Sequence, residues 1–208
     1  MQFPQAEVSA VKKLIEVSKN IVITTHHRPD GDAMGSSLGL YNYLKLLGCS
    51  VNIITPSDYP DFLNWLSSND IVVNFEYSTK QAKELISQAN LIFCLDFNWL
   101  SRVEAMEMDL RNSSAKKVLI DHHLDPEKAF DHVFSFTEAC STCELIHRFI
   151  DASGNSNMIN KDIAECLYCG IMTDTNSFRY SSMKADVHRI RFIYIGIIER
   201  GIQHWGIR

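Results

Sequence analysis

The chain has 208 residues, 46% of them apolar, and a formal net charge of −5. This size and composition suit one sizeable globular domain with a real core and exclude a disordered chain. The acidic balance argues against a broad basic surface for duplex DNA, although bound cations would still admit a small anionic substrate. No stretch of the sequence is apolar for long enough to span a membrane, and the N-terminus lacks the layout of a signal peptide, so we expect a cytoplasmic protein.

The predicted elements alternate between amphipathic helices and short apolar strands. This alternation predicts an α/β fold, with a mainly parallel sheet flanked by helices on both faces. Asp32 is expected to cap the helix that follows the first strand. In chain order we predict a helix at residues 4–19, strand Ile21–Thr25, a helix from Ala33 to about Leu47, strands Ser50–Thr55 and Ile71–Val73, helix Thr79–Gln88, strands Leu91–Leu95 and Lys117–Ile120, and helices at about 139–152, 160–172 and 184–199.

Ionisable residues follow three of the predicted strands directly. His26 comes after the run IVITT, Asp96 after LIFCL, and Asp121 after KVLI. In open α/β sheets, ligands bind at the carboxyl ends of the strands. We therefore expect the functional site at this edge of the sheet.

The turn His26-His27-Arg28-Pro29-Asp30-Gly31-Asp32 holds two histidines and two aspartates in seven positions, and its spacing favours His26, with Asp30 and Asp32, over His27 as a ligand. Pro29 stiffens the turn and Gly31 gives it backbone freedom. Taken alone, such a segment also suits an ordinary turn or helix cap, and Asp121-His122-His123 alone also suits a polar loop. Their joint placement at strand ends favours metal binding instead. Clustered carboxylates repel one another, and divalent cations relieve that repulsion.

Mixed Asp and His ligands suit Mn²⁺, and they are also compatible with Co²⁺, Fe²⁺, Zn²⁺ or Mg²⁺. Two such ions roughly 3.5–4 Å apart form a clamp for phosphoryl hydrolysis.

The six cysteines raise a separate question, because Cys140 with Cys143 and Cys166 with Cys169 form two C-x-x-C pairs. Both pairs lie in helical patterns, where residues three apart share one face, so we interpret them as core residues and not as a zinc cluster.

Four segments together resemble motifs one to four of the DHH phosphoesterase superfamily. They are HHRPDGDAMGSS, the lone Asp96, the DHH at 121–123 and TDTNSFR at 173–179, and the likeness extends over most of residues 20–200. The chain is most similar to the branch with oligoribonuclease and 3′-phosphoadenosine-5′-phosphate phosphatase activity. The resemblance implies a DHH catalytic domain in residues 1–208. The smaller C-terminal substrate-binding domain of the family, with its Gly-rich motif, is absent from this sequence, so we expect weak substrate binding by this chain.

The resemblance also implies a site. One metal ion would bind His26, Asp30 and Asp96, and the second would bind Asp32, Asp96, His122 and Asp174, with Asp96 as the bridge. His123 would face the substrate phosphate, Asp121 would orient an imidazole, and Arg179 would contact phosphate or the sheet edge. Asn176 stands where relatives often carry Gly, so the loop after Asp174 is expected to differ.

The function implied is that of a Mn²⁺-dependent phosphoesterase. It would hydrolyse short oligoribonucleotides, 3′-phosphoadenosine 5′-phosphate or both, through a water activated by two Mn²⁺ ions, with Co²⁺ or Mg²⁺ as substitutes. One alternative is an inorganic pyrophosphatase, and another is a metal-binding domain without turnover. The expected partner is a short RNA or nucleotide, with no membrane and no duplex DNA; a homodimer stays open.

Overall fold

A computed structural model gives the fold of residues 2–180 and 184–204. Six strands form one sheet in which every neighbouring pair is parallel. They are β1 (Ile21–Thr25), β2 (Val51–Thr55), β3 (Val73–Asn74), β4 (Leu91–Leu95), β5 (Lys116–Asp121) and β6 (His132–Ser135), in the spatial order β3-β2-β1-β4-β5-β6. The predicted α/β fold with a parallel sheet is confirmed.

Helices cover both faces of the sheet. They are α1 (Gln5–Val17), α2 (Gly31–Leu46), α3 (Thr79–Gln88), α4 (Glu107–Asn112), α5 (Thr142–Ala152), α6 (Lys161–Asp174) and α7 (Ala185–His204). Their apolar sides form two buried clusters, one on each face: a large one under α1, α2, α5, α6 and α7, and a smaller one under α3 and α4. No helix within the described residues is both long and apolar enough to cross a bilayer.

The centre of the sheet lies between β1 and β4. From β1 the strand order runs outward through β2 to β3, and from β4 it runs the other way through β5 to β6. This reversal is the topological switch point at which α/β proteins bind ligands. Thr25 pairs with Leu95, and Leu95 pairs with Ile120, so the chain leaves all three strands at the same level.

Some boundaries differ from the predicted ones. Asp30, and not Asp32, caps α2: one oxygen of its carboxylate accepts the backbone N–H groups of Asp32 at 2.9 Å and Ala33 at 3.1 Å. The prediction of Asp32 as the cap is wrong because the helix begins two residues earlier, at Gly31. This assignment leaves the carboxylate of Asp32 inside the first turn, where it can serve the site.

Other differences lie at the sheet margins. The segment predicted as strand Ile71–Val73 is a 3₁₀ turn, Asn69–Ile71, followed by the two-residue strand β3. The short edge strand β6 and the 3₁₀ segment Leu100–Met106 with α4 were not predicted. Four-residue strands and 3₁₀ turns carry too few residues to show a period.

Glycines let α2 and α6 pack in close contact. A Cβ atom on Gly35 would lie 2.5 Å from the carbonyl oxygen of Cys166, and one on Gly170 would clash with the Cys143 sulfur. Asp32 is the next neighbour of Gly170, since its Oδ1 atom would lie 2.9 Å from the added carbon. The close contact brings the end of α6 beside the start of α2, which places two acidic segments together.

Candidate metal centre

Six side chains converge at the carboxyl ends of β1, β4 and β5. Their ligand atoms fall into two groups, each with all atoms within 4.8 Å of one another. The first group is His26, Asp30 and Asp96, and the second is Asp32, His122 and Asp174. These are the six residues that the resemblance to the DHH superfamily implied as metal ligands. Their role as ligands stays a prediction, but the fold does bring every one of them to the same place.

Asp96 lies between the two groups. Its Oδ2 atom is 3.5 Å from Nε2 of His26, and its Oδ1 atom is 3.5 Å from Nε2 of His122. The residue has a left-handed backbone, with φ of 64°, directly after β4, and its carboxylate is buried. A carboxylate with one oxygen toward each group has the geometry of a bridging ligand.

The first group is oriented by backbone contacts. Nδ1 of His26 lies 2.8 Å from the carbonyl oxygen of His27, which leaves Nε2 facing Asp96. The ring of His27 instead approaches Glu104, at 3.2 Å, and its backbone N–H donates to the carbonyl of Arg102 at 2.8 Å. His27 therefore belongs to the surrounding loop and not to either ligand group.

The second group brings two carboxylates to one imidazole. Nε2 of His122 is 3.5 Å from Oδ2 of Asp174 and 3.9 Å from Oδ2 of Asp32. Asp174 is the last residue of α6, where the partial negative charge of the helix end disfavours a carboxylate. After Thr175 the loop enters the left-handed region, with positive φ at Asn176, Ser177 and Phe178. A cation at this position would offset both the helix end and the carboxylates.

The electrostatics of the centre reflect excess negative charge. Burial, together with Asp96 and Asp174, raises the pKa of Asp32 well above its ordinary value, and burial and Asp96 raise the pKa of Asp174 to about 6. Burial opposes protonation of His122, but its hydrogen bond with Asp96 and the charges around it raise its pKa to about 9. The donor set therefore fits divalent cations, which would replace these protons.

The pKa of Asp96 and the pKa values of its two imidazole neighbours, His26 and His122, shift in opposite directions. Burial alone would raise the pKa of Asp96, but hydrogen bonds from His122 and His26 bring it below the ordinary value. Burial likewise opposes a charge on His26, and the contact with Asp96 raises its pKa nonetheless. A lowered pKa keeps the Asp96 carboxylate ionised, which suits a cation ligand.

His123 stands beside the second group. One of its ring nitrogens lies within 4.8 Å of the ligand atoms of Asp96 and His122. Its Nδ1 atom, however, lies 2.7 Å from Oδ1 of Asp121, a fully buried carboxylate at the end of β5. This contact can hold the imidazole of His123 in one orientation, and the role of Asp121 in the site stays a prediction.

The start of α5 holds two of the carboxylates, and the sequence interpretation missed it. The Thr142 hydroxyl donates to Oδ1 of Asp96 at 2.9 Å. The backbone N–H groups of Thr142 and Cys143 donate to the two oxygens of Asp32, at 2.6 and 2.8 Å. Ser141 and Glu144 cap this helix start, and the spacing S-x-x-E is the one sequence pattern that could have marked it.

Arg179 is not brought into the ligand cluster. Its backbone N–H donates to the carbonyl of Thr175 at 3.0 Å, and its exposed guanidinium has no hydrogen bond or ion pair with the described residues. Nearby, a cavity of about 360 Å³ opens beside His122 and Asp174, with Tyr180 in its wall. A larger cavity, of about 570 Å³, lies at the opposite edge of the sheet, away from the ligand groups.

Comparison with known proteins agrees with this architecture. Residues 20–171 match the family described as "DHH family, N-terminal domain". A bifunctional oligoribonuclease and PAP phosphatase, NrnA, from Thermus thermophilus is 34% identical over 190 residues, which are 91% of this chain and 53% of that protein. The cyclic-di-AMP phosphodiesterase PdeA from Listeria monocytogenes is 25% identical over 177 residues, 81% of this chain and 27% of that protein.

A solved structure gives the same result for the fold. An exopolyphosphatase-related protein from Bacteroides fragilis superposes with a TM-score of 0.91 at 39% identity, covering 93% of this chain and 57% of that one. The chain thus spans about half the length of the NrnA relative and of this structure. With the family match over most of the sequence and the strand-end cluster in place, the chain belongs to the DHH family.

Proposed function

We propose that this chain is the catalytic domain of a Mn²⁺-dependent phosphoesterase. Its substrates are short oligoribonucleotides, 3′-phosphoadenosine 5′-phosphate or both. The observation that carries the proposal is the pair of ligand groups that meet at Asp96, because two adjacent cation sites with a shared carboxylate suit phosphoryl transfer. The substrate class is supported by the 34% identity to a relative named as an oligoribonuclease and PAP phosphatase.

The ligand assignment is part of the same proposal. His26, Asp30 and Asp96 hold one ion, and Asp32, Asp96, His122 and Asp174 hold the other. Mixed imidazole and carboxylate donors suit Mn²⁺, with Co²⁺ or Mg²⁺ as substitutes. When bound, the ions supply Lewis acidity to the phosphoryl group and to the attacking water.

The residues around the ligands have separate tasks. His123 contacts a phosphate oxygen of the substrate through Nε2, because its Nδ1 is engaged by Asp121. Asp121 keeps that ring in place from its buried position at the strand end. Arg179 approaches the substrate phosphate from the loop after Asp174, a use that suits a guanidinium with no partner among residues 2–180 and 184–204.

Substrate affinity is expected to be low for this chain. It corresponds to about half of the NrnA relative, at 53% of its length. Residues 1–208 act as the DHH catalytic domain in this proposal, and contacts to the remainder of the substrate would come from outside these residues. Interactions with non-reacting parts of a substrate govern both binding and turnover. The six cysteines are free thiols, which supports the cytoplasmic location that we propose.

The test is a Mn²⁺-supported activity panel with the full 208-residue chain. It includes a dinucleotide, 3′-phosphoadenosine 5′-phosphate, cyclic di-adenylate, pyrophosphate and bis(p-nitrophenyl) phosphate at millimolar concentration. We expect hydrolysis of the first two substrates that EDTA abolishes. Asp174→Asn should remove it, whereas Asp109→Asn, on α4 and in a surface ion pair with Lys83, should not. Preference for pyrophosphate would instead favour a pyrophosphatase, and two bound Mn²⁺ without hydrolysis of any substrate would identify a metal-binding domain.

A further inference from the structure

The start of α5 touches the centre of the site without belonging to either ligand group. Thr142 is fully buried, and it makes two hydrogen bonds to carboxylates from other parts of the chain. Its hydroxyl donates to Oδ1 of Asp96, and its backbone N–H donates to Oδ2 of Asp32. One residue therefore restrains two acidic side chains that lie 46 and 110 positions away in the sequence.

From this geometry we infer that Thr142 is a positioning residue for the metal pair: its hydroxyl fixes the rotation of the Asp96 carboxylate, so that each oxygen serves one ion. The inference rests on the two-ion centre of the proposed function. It concerns how the bridge is held, which the ligand assignment itself leaves open.

The need for such a restraint follows from the torsion of the aspartate side chain. The terminal torsion of Asp has broad, shallow preferences, unlike an sp³ rotamer. Oδ2 of Asp96 lies 3.5 Å from Nε2 of His26, which is too long for a strong hydrogen bond. Oδ1 receives the Thr142 hydroxyl at 2.9 Å. That single bond of normal length selects one rotation of the carboxylate, in which Oδ1 faces His122 and Oδ2 faces His26.

Thr142 can act as a restraint because it is itself held firmly. Its β-branched side chain has few χ1 rotamers in a helix. The N-cap Ser141 accepts the N–H of Glu144 at 3.1 Å, and the buried Glu144 carboxylate accepts the N–H of Cys140 at 2.9 Å. Arg148 donates to the other oxygen of Glu144 at 2.6 Å from the next turn. These bonds define where α5 begins and hence where the hydroxyl lies.

The restraint acts on the two ions unequally. The hydroxyl donates to Oδ1 of Asp96, the oxygen that faces His122 of the second group, whereas the backbone N–H that holds Asp32 remains in a variant without the hydroxyl. In the first group, Asp30 is exposed, and His26 faces the other oxygen of Asp96, Oδ2. Loss of the Thr142 hydroxyl should therefore lower the affinity for the second ion more than the affinity for the first.

A purely structural role for Thr142 predicts a different result. In that case the hydroxyl only satisfies a buried carboxylate, and its loss lowers the free energy of unfolding but leaves the folded site unchanged. Metal affinity measured on folded protein separates the two cases, because partners of metal ligands typically change affinity by about 10–100-fold.

The experiment compares Thr142→Val, which keeps the shape but cannot donate, with Thr142→Ser, which keeps the hydroxyl. Thr55→Val is the matched control, since Thr55 is a fully buried threonine on β2 whose hydroxyl has no partner among the described residues. Binding of Mn²⁺ alone is measured by isothermal titration, and the spin-coupled signal of the ion pair by electron paramagnetic resonance. Circular dichroism establishes that each variant is folded.

We expect Thr142→Val to lower the affinity for one of the two Mn²⁺ ions by about 10–100-fold and to reduce the spin-coupled signal. Thr142→Ser should restore both to within about threefold, and Thr55→Val should match the wild type. In turnover, kcat should fall while KM changes little. If Thr142→Val does not fold, Thr142→Ala against Thr142→Ser decides the question by the same readouts.

Wild-type affinity for both ions in the variant without the hydroxyl would overturn the inference. Two Mn²⁺ bound to the wild type without hydrolysis of any substrate would overturn the proposed function and leave the positioning role standing. A wild-type chain that binds no Mn²⁺ would overturn both.

Discussion

Asp121 accepts two hydrogen bonds from His123, one from the backbone N–H at 3.0 Å and one from ring Nδ1 at 2.7 Å. The carboxylate is fully buried, whereas 42% of the imidazole is exposed. The hydrogen bond to Asp121 raises the pKa of His123 above its ordinary value, although burial opposes the charge. The buried carboxylate thus fixes the ring through Nδ1, and Nε2 is left for a ligand on the solvent-exposed side of the ring.

This arrangement leads us to expect that His123→Ala keeps both Mn²⁺ ions and loses turnover. The decrease in kcat/KM should be about 100-fold or more, as for a group that contacts the reacting phosphate. His188→Ala, an exposed histidine on α7, is the control. Metal content and kinetics are measured on the same preparations. Loss of one ion from folded His123→Ala protein would make this histidine a ligand instead.

For Asp96, the proposed bridging ligand, the informative substitution is Asp96→Asn. Asparagine tolerates the left-handed backbone at this position, where φ is 64°, better than alanine does, so the fold should survive. The neutral amide cannot bridge two cations, and we expect loss of at least one ion together with all measurable activity. Metal analysis after gel filtration gives the stoichiometry. Two Mn²⁺ retained at wild-type affinity would disprove the ligand assignment.

Removal of the metal ions should lower thermal stability. Without cations, Asp32, Asp96 and Asp174 repel one another in a largely buried site, and this repulsion contributes to the raised pKa of Asp32. Mn²⁺ at 100 times its Kd adds about 2.7 kcal/mol to the free energy of unfolding, or roughly 5–10 °C in Tm for a chain of this size. Scanning calorimetry with EDTA and with Mn²⁺ measures the difference. An equal Tm in the two conditions, or an equal shift in Asp96→Asn, would contradict a specific site.

Two helical glycines offer a matched pair. Gly170→Ala should destabilise the fold by about 1–3 kcal/mol through overpacking, because the new methyl group would meet the Cys143 sulfur and the Asp32 carboxylate. It should also weaken Mn²⁺ binding through Asp32. Gly196→Ala on α7 has open space around the added carbon, so it should be neutral or stabilise by up to about 1 kcal/mol. Urea denaturation checks both, and Cys143→Ala should partly rescue the first; equal behaviour of the two variants would argue against the close α2–α6 contact.

His147 gives a pH dependence that is independent of the metal centre. Its Nδ1 lies 2.8 Å from the hydroxyl of Tyr194, and burial lowers its pKa from 6.5 to about 4. The unfolded chain binds a proton at His147 more readily than the folded chain does. The stability that neutral His147 contributes is therefore fully present above pH 6.5 and is lost as the pH falls toward 4. We expect a loss of at most about 3 kcal/mol from this group.

Urea denaturation in EDTA at pH 7.5 and pH 5 measures this effect. The difference in stability between the two pH values should be smaller for His147→Gln than for the wild type. His188→Gln, at an exposed position on the neighbouring helix, should behave as the wild type does. An unchanged pH dependence in His147→Gln would show that the imidazole is already solvated in the folded state.

Sequence reasoning reached the parts of the site that sit next to predictable elements. His26, Asp96 and Asp121 follow apolar runs that are strands by pattern alone, and the shared edge follows from parallel topology. Thr142 could not be found in this way, because its contact with Asp96 depends on where α5 packs. The cap of α2 was misplaced because Asp30 and Asp32 are equally suited by residue type, and only the backbone at Gly31 decides between them.

The strand order also governs when the metal site can form. His26 and Asp96 are 70 positions apart in the sequence, and Asp174 lies a further 78 positions on, yet all three meet across the central strands. Contacts between residues so distant in the chain form late, because they need most of the parallel sheet in place first. The unfolded chain therefore offers no preformed cluster, and nearly all of the binding energy of the ions is coupled to the final folding step. The rate of Mn²⁺ uptake by refolding protein should accordingly report completion of the sheet.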